Sequence, residues 1–252
     1  MNCGNITSRS NRLVKELREL QTKRKSRYEM RAFVCDGIKL LGEAIESGIK
    51  IKYIFVEEGT ELDPVWTERY NVYTAPRELM EYISVLECTQ GVIFCCEMPE
   101  EEILTGSQVI ILDHLQDTGN LGTIIRCADA FGIPTVVLDG TADPYNPKTV
   151  RAAMGALFRV KLCNMETLSA IFALKEKNIP TYAATLTDSA VDIENVSLKT
   201  AAVVIGNEGN GVSSIVEDAC DKHIILPMSG NAESLNASVA AGIIMWEMQK
   251  KR

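Results

Sequence analysis

The sequence predicts an α/β protein of two units, the larger carrying a parallel sheet with helices on both faces. Three observations carry that prediction. From Gln108 onward, short apolar runs alternate regularly with helical patterns, the signature of strands in a parallel sheet joined by crossover helices. Before that point the chain alternates over a shorter stretch, enough for a small α/β unit. Between the two, the acidic, proline-containing MPEEEILTGS (98–107) has the composition of a connector. The 252 residues give both units room for a core, and divide into residues 1–98 and 106–252.

In the first unit, Leu13, Leu17 and Leu20 recur at helical spacing. Ile38, Leu41, Ala44 and Ile45 repeat the pattern before a turn at Ser47-Gly48. Ile51–Val56 then reads as a strand, Arg77–Ile83 as a helix and Gly91–Met98 as a strand. In the second unit, strands are expected at Val109–Asp113, Thr135–Leu138, Arg159–Leu162, Thr181–Thr185, Ala201–Gly206 and His223–Met228. Helices are expected at Leu121–Phe131, Lys148–Leu157, Thr167–Lys177, Ser213–Cys220 and Ser234–Lys250. Ligands on such sheets bind beyond the carboxyl ends of strands, and Gly206 and Met228 end two of those expected here.

Composition narrows the class. A 46% hydrophobic and 24% charged chain is that of an ordinary globular protein, and its longest apolar runs are too short to span a bilayer. The N-terminal MNCGNITSRSNRL lacks the apolar core of a signal peptide, so a cytoplasmic location is expected. The eight cysteines form no CxxC pair and sit mostly in apolar runs, which implies reduced, buried thiols and no zinc site. The net charge of −8 opposes indiscriminate nucleic-acid binding. Between Arg9 and Arg31, however, nine Lys or Arg face three Glu, which suits either a defined RNA-binding patch or a solvated helix face.

Three stretches could carry chemistry. G206-N-E-G-N-G211 follows an apolar strand, but it is neither a dinucleotide fingerprint nor a P-loop. Its glycines would let backbone N–H groups approach a ligand, with Glu208 at the rim. L112-D-H-L-Q-D-T-G-N-L-G-T-I-I-R126 runs from a strand through a turn into a helix, with Asn120 as a natural N-cap and Arg126 in the first two turns. I225-L-P-M-S-G-N-A-E-S-L-N-A-S-V-A-A-G242 leaves a strand at Pro227 and opens a small-residue helix at Ser234 or Asn236, an end suited to a polar or anionic group.

In this order the three resemble the three motifs of the SpoU (TrmH-type) branch of the SPOUT methyltransferases. D143-P-Y-N-P-K-T-V-R-A-A-M-G-A-L-F158 is similar to that family's helix entry, and F33-V-C-D-G-I-K-L-L-G-E-A-I-E-S-G48 resembles its ribosomal-protein-like RNA-binding domain. The resemblance implies a parallel-sheet domain with a C-terminal trefoil knot. It also implies methyl transfer from S-adenosylmethionine to a ribose 2′-hydroxyl of RNA, ribosomal RNA in preference to transfer RNA. By matching positions, Gly206, Leu226 and Leu235 would contact the cofactor through backbone groups, and Asn207, Gly211 and Met228 would line the same pocket.

The family gives activation of the ribose hydroxyl to Arg126. A guanidinium has a pKa above about 12, so stabilising a developing alkoxide or a nearby phosphate suits it better than proton removal. Asn120 and Glu208 would orient Arg126, while Ser234 and Asn236 organise the loop and substrate. Lys148 and Arg151 are candidate phosphate contacts, which position RNA without reading sequence. No metal is expected, and His114 and Cys127 receive no role. Thr118 departs from the proline common in relatives, without removing a functional group. The last helix is apolar around much of its circumference, which fits a homodimer interface. Two other readings stand against this one. A catalytically silent RNA-binding assembly factor has no chemical need for Arg126, Glu208, Ser234 and Asn236. A nicotinamide-dependent oxidoreductase lacks its glycine fingerprint.

Overall fold

The structure, a computed structural model, describes residues 2–85, 89–100, 103–187 and 189–250. Glu101 and Glu102 of the expected connector lie outside the described residues, as does Cys88. In chain order the first elements are β1 (Asn2–Asn5), α1 (Arg12–Thr22), α2 (Arg24–Glu29), β2 (Ala32–Asp36), α3 (Ile38–Glu46), β3 (Ile51–Glu57), α4 (Pro64–Arg69), β4 (Val72–Ala75), α5 (Arg77–Ile83) and β5 (Val92–Glu97). Next come β6 (Gln108–Asp113), α6 (Thr118–Phe131), β7 (Thr135–Asp139), α7 (Pro147–Ala153), which runs into a 3₁₀ turn at Met154–Phe158, and β8 (Lys161–Asn164). Last are α8 (Thr167–Glu176), β9 (Thr181–Ala184), β10 (Val191–Asp192), β11 (Ala201–Ile205), α9 (Ser214–Ala219), β12 (Lys222–Ile225) and α10 (Ala237–Gln249).

Two compact units result, Met1–Glu100 with Asp143–Phe158, and Glu101–Ala142 with Arg159–Arg252. The connection from β7 to β8 thus folds with the first unit. Among the described residues, the first unit holds a mixed sheet of order β1-β4-β3-β5-β2, in which β5 runs antiparallel to β2 and β3. The leucines of α1 are there for that sheet: Val14, Leu17 and Leu20 are fully buried against Phe55, Ile93 and Cys95. Asn11 starts the helix by accepting the Leu13 N–H at 2.9 Å.

The 143–158 segment is tied to this unit by a buried ion pair. Arg27 donates from Nε and Nη2 to Asp143 Oδ2 at 2.8 and 2.6 Å, and from Nη1 to the Leu20 carbonyl at 2.7 Å. Tyr28 Oη and the Tyr145 N–H occupy the other carboxylate oxygen. Asn146 then caps α7, with Pro147 in its first turn, where the missing N–H costs nothing.

The second unit is the parallel sheet that the alternation predicts, of order β10-β12-β9-β11-β6-β7-β8 among the described residues. Val109 and Ile111 of β6 share a core with Val204 of β11 and with Ala170, Ile171 and Leu174 of α8. Strand alternation sends Ile110 and Leu112 to the opposite face, where α10 packs on α6 and β11. Several expected boundaries move. β12 stops at Ile225, three residues before the expected end at Met228, because Pro227 has no N–H to give a ladder. The last helix begins at Ala237, so Ser234 and Leu235 belong to the preceding loop. Of the cysteines, Cys35, Cys95, Cys96 and Cys163 are buried free thiols, whereas Cys127 and Cys220 are half-buried. No helix among the described residues is long and apolar enough to cross a membrane.

Candidate active site

Beyond the carboxyl ends of β9, β11 and β12 lies a cavity of about 700 Å³. Gly206, Asn207, Gly211, Leu226, Met228 and Leu235, the six residues expected at a cofactor, all line it, together with Glu208, Ser234 and Asn236. The loop after β11 explains its glycines. Asn207 and Gly211 exchange both backbone hydrogen bonds at 3.0 and 2.9 Å, closing a tight turn. A Cβ on Gly206 would lie 2.1 Å from the Gly211 carbonyl carbon, and Gly211 sits at φ +68°. These two glycines therefore serve the loop's own closure before they serve any ligand. Asn207 Oδ1 accepts the N–H groups of Gly209 and Asn210, and its Nδ2 donates 2.9 Å to the His114 carbonyl, fastening the loop to the end of β6.

A polar relay runs along the mouth of the cavity. Asn236 Nδ2 donates to Asn120 Oδ1 at 3.0 Å, and Asn120 Nδ2 donates to Glu208 Oε1 at 3.2 Å. Glu208 also accepts the backbone N–H groups of Gln116 at 3.0 Å and Asp117 at 2.9 Å. Partial burial pushes its carboxyl up, but those N–H groups, its own N–H and the Asn120 amide outweigh this and hold it below the ordinary carboxylate value. Asn236 caps α10 through Oδ1, which accepts the N–H and hydroxyl of Ser238 and the N–H of Val239.

Two expectations are corrected here. The N-cap of α6 is Asp117, whose Oδ1 accepts the Asn120 N–H at 2.7 Å; Asn120 lies inside the first turn. Asn and Asp both cap, and the helix starts earlier because Asp117 stands three residues before Asn120, the spacing an N-cap bond requires. Arg126 consequently falls in the third turn of α6. There it is exposed and forms no hydrogen bond or ion pair among the described residues, so Asn120 and Glu208 bond to one another and not to it. Ser234 is exposed on the loop. Lys148 and Arg151 are exposed on α7 in the other unit.

Sequence reasoning missed Gln116 and Asp117, whose N–H groups fix Glu208, and Thr185 and Thr187, which line the cavity beyond β9. The D117-x-x-N120 spacing is the signal that could have found the former. His114 adopts φ 57°, and its Nδ1 lies 2.8 Å from Asp113 Oδ1. That bond raises the pKa of the ring above its ordinary value, while slight burial acts the other way. Asp113, His114 and Asp139 stand close enough to share a cation. Thr167 already bonds both carboxylates, through its hydroxyl to Asp113 at 3.3 Å and its N–H to Asp139 at 2.8 Å, so the group acts as a brace for α8.

Residues 107–246 match the SpoU rRNA Methylase family, and residues 11–93 match the MRM3-like substrate binding domain. The 23S rRNA (guanosine(2553)-2'-O)-methyltransferase RlmP of Bacillus subtilis is 35% identical over 97% of this chain and 98% of its own. The crystal structure of an AdoMet-bound rRNA methyltransferase from Sinorhizobium meliloti is similar over 97% of both chains, at 28% identity and a TM-score of 0.85. The TrmH/SpoU tRNA modifying enzyme of A. aeolicus is similar over 57% of this chain and 75% of that one, at 26% identity and a TM-score of 0.54. The chain belongs to the SpoU rRNA methylase family.

Proposed function

We propose that this protein transfers a methyl group from S-adenosylmethionine to a ribose 2′-hydroxyl of ribosomal RNA. The observation that carries the reading is one cavity at three parallel strand ends whose wall shares Glu208 and Asn236 with the hydrogen-bonded relay. The residues fit the cofactor: the volume is that of a small-molecule site, aliphatic Leu226, Met228, Leu235 and Ile244 suit a flat base, and polar Thr185 and Asn207 suit a charged tail. S-adenosylmethionine would supply the electrophilic methyl carbon. Transfer of that methyl would leave S-adenosylhomocysteine and would require the hydroxyl to give up its proton, which solvent water can accept. Arg126, exposed and without a hydrogen-bond or ion-pair partner among the described residues, is read as the cation that meets the developing alkoxide or the neighbouring phosphate. Asn120, Glu208 and Asn236 hold the mouth of the site in one shape, which supplies rate by positioning.

Ribosomal RNA is favoured over transfer RNA because RlmP matches along nearly the whole chain, whereas the tRNA enzyme matches little more than half of it. We read the C-terminal stretch through α10 as the knotted part. A second copy of the chain is the proposed cover for Val239, Ile243 and Trp246, an exposed apolar stripe at i, i+4 and i+7 on α10. The cytoplasm is the proposed location.

The test is methyl transfer from labelled cofactor to separated ribosomal and transfer RNA, and to intact large ribosomal subunits, with Arg126→Ala alongside. Label is expected in the ribosomal fraction or the subunits, reduced roughly 10²- to 10³-fold in the variant. Label confined to transfer RNA would overturn the proposed target, and label in none of the three would overturn the activity.

A further inference from the structure

The N-terminal unit holds a second cavity, of about 370 Å³, which methyl transfer does not use. It is bounded by α1, the end of β2, the start of α3 and the 147–154 segment. Gln21 is only 6% exposed and lines this cavity, yet its side-chain amide has no hydrogen-bond partner among the described residues. No side-chain nitrogen or oxygen among them is both sealed from solvent and unpaired, so the Gln21 amide is reached through the cavity. The Asp36 carboxylate lines the same cavity, held in place by Ser84 Oγ at 3.0 Å, Thr89 Oγ1 at 3.4 Å and the Gln90 N–H at 3.1 Å. A carboxylate has about four acceptor sites, so capacity remains for a ligand. Lys39 and Arg151 also line the cavity; both are exposed, and neither forms an ion pair among the described residues.

We propose that this cavity receives one unstacked RNA base whose edge offers adjacent N–H donors, guanine above uracil, with Lys39 and Arg151 on the flanking phosphates. The donors and acceptors match. The N1–H and 2-amino group of guanine face a carboxylate with two bonds, and the Gln21 amide can donate to O6; uracil brings a single N–H to the same wall. Unpaired bases are the ones proteins read by sequence in RNA, and cations on phosphates position the strand without reading it. The inference rests on the reading of the chain as an RNA methyltransferase and adds where its substrate is recognised.

Fluorescence anisotropy of the full chain with labelled UUGUU and UUUUU RNA, at one fixed salt concentration, tests it. The guanosine pentamer should bind roughly 5- to 100-fold more tightly. Inosine, which lacks the 2-amino group, should lose most of that preference without any change to the protein. Asp36→Asn should abolish the preference by weakening UUGUU far more than UUUUU, Gln21→Met should reduce it, and Arg151→Ala should weaken both RNAs alike. Thermal midpoints confirm that each variant is folded. Equal affinity for the two pentamers, or a preference that survives Asp36→Asn in a folded protein, overturns the assignment. Methyl transfer by the unaltered protein is read separately. Transfer without base preference sinks the cavity alone, while preference without transfer sinks the proposed activity and leaves the cavity standing.

Discussion

The two cavities are built from different parts of the chain. The larger one has aliphatic and polar side chains in its wall, but it is closed by the 206–211 turn, whose glycines and paired backbone bonds fix where the main chain can pass. The smaller one has a largely apolar lining, and its polar character comes from side chains: the Gln21 and Gln90 amides, the Asp36 carboxylate and the cations Lys39 and Arg151. A backbone-built site is broken by adding atoms, whereas a side-chain-built site is broken by removing charge or hydrogen-bonding capacity. That difference orders what substitutions should do.

The largest expected effect comes from Arg27. It is 3% exposed, Asp143 is 5% exposed, and the pair anchors the segment that walls the smaller cavity. Arg27→Met leaves Asp143 buried without its cation and should cost about 3–5 kcal/mol in urea unfolding. Arg27→Met combined with Asp143→Leu should recover much of the loss, because the pair's own desolvation cost also disappears. A double variant no more stable than the single one would mean that the anchor acts through something other than charge.

Gly206→Ala acts on the other cavity. The added methyl would meet the Gly211 carbonyl carbon and oxygen at 2.1 Å, and a backbone atom cannot swing aside as a side chain can. The cost of overpacking, typically about 1–3 kcal/mol, should appear as roughly 5- to 150-fold weaker S-adenosylhomocysteine binding by calorimetry. The preference for UUGUU over UUUUU should be untouched. Unaltered cofactor affinity would show that the 206–211 turn opens more freely than its paired backbone bonds allow.

This contrast also explains what could be read from the sequence. The larger site is assembled from three separate stretches, but each carries its own local mark: an apolar run leads straight into the glycine turn at 201–211, and Asn120 and Asn236 stand at two helix starts, so each can be read without knowing its partners. The α1 leucines were legible for the same reason, since a 3.6 period needs no partner to be seen. β2 is a short continuous apolar run, buried at Ala32–Cys35, and without alternation its period does not mark it as a strand. β4 (Val72–Ala75) is likewise absent from the expected strands. Arg27 and Asp143 are 116 residues apart, and no periodicity announces a pair at that separation, so the assignment of 143–158 to the first unit could not be seen. Gln21 sits on the buried side of α1 next to Leu20, where sequence alone reads a polar residue as solvent-facing.

The smallest expected effect is the sharpest probe of the relay at the larger cavity. The carboxyl of Glu208 has its pKa held below the ordinary value, so its contribution to stability is present above the unfolded value of 4.5 and is lost as pH falls toward the folded one. Glu208→Gln replaces one acceptor by an NH₂ group that faces the N–H of Gln116 or Asp117, and should unfold at a lower temperature than the unaltered protein at pH 7. The gap between the two melting temperatures should close as pH is lowered from about 5 toward 3, because the unaltered carboxyl is then losing its charge as well. His114 cannot imitate this signature. Its pKa is raised, so its contribution is full below 6.5 and declines as pH rises through the folded value, the opposite direction and a higher window. A gap independent of pH would mean that Glu208 holds the α6 start by shape alone. The relay from Asn236 through Asn120 would then orient the mouth of the cavity without a charge at its end.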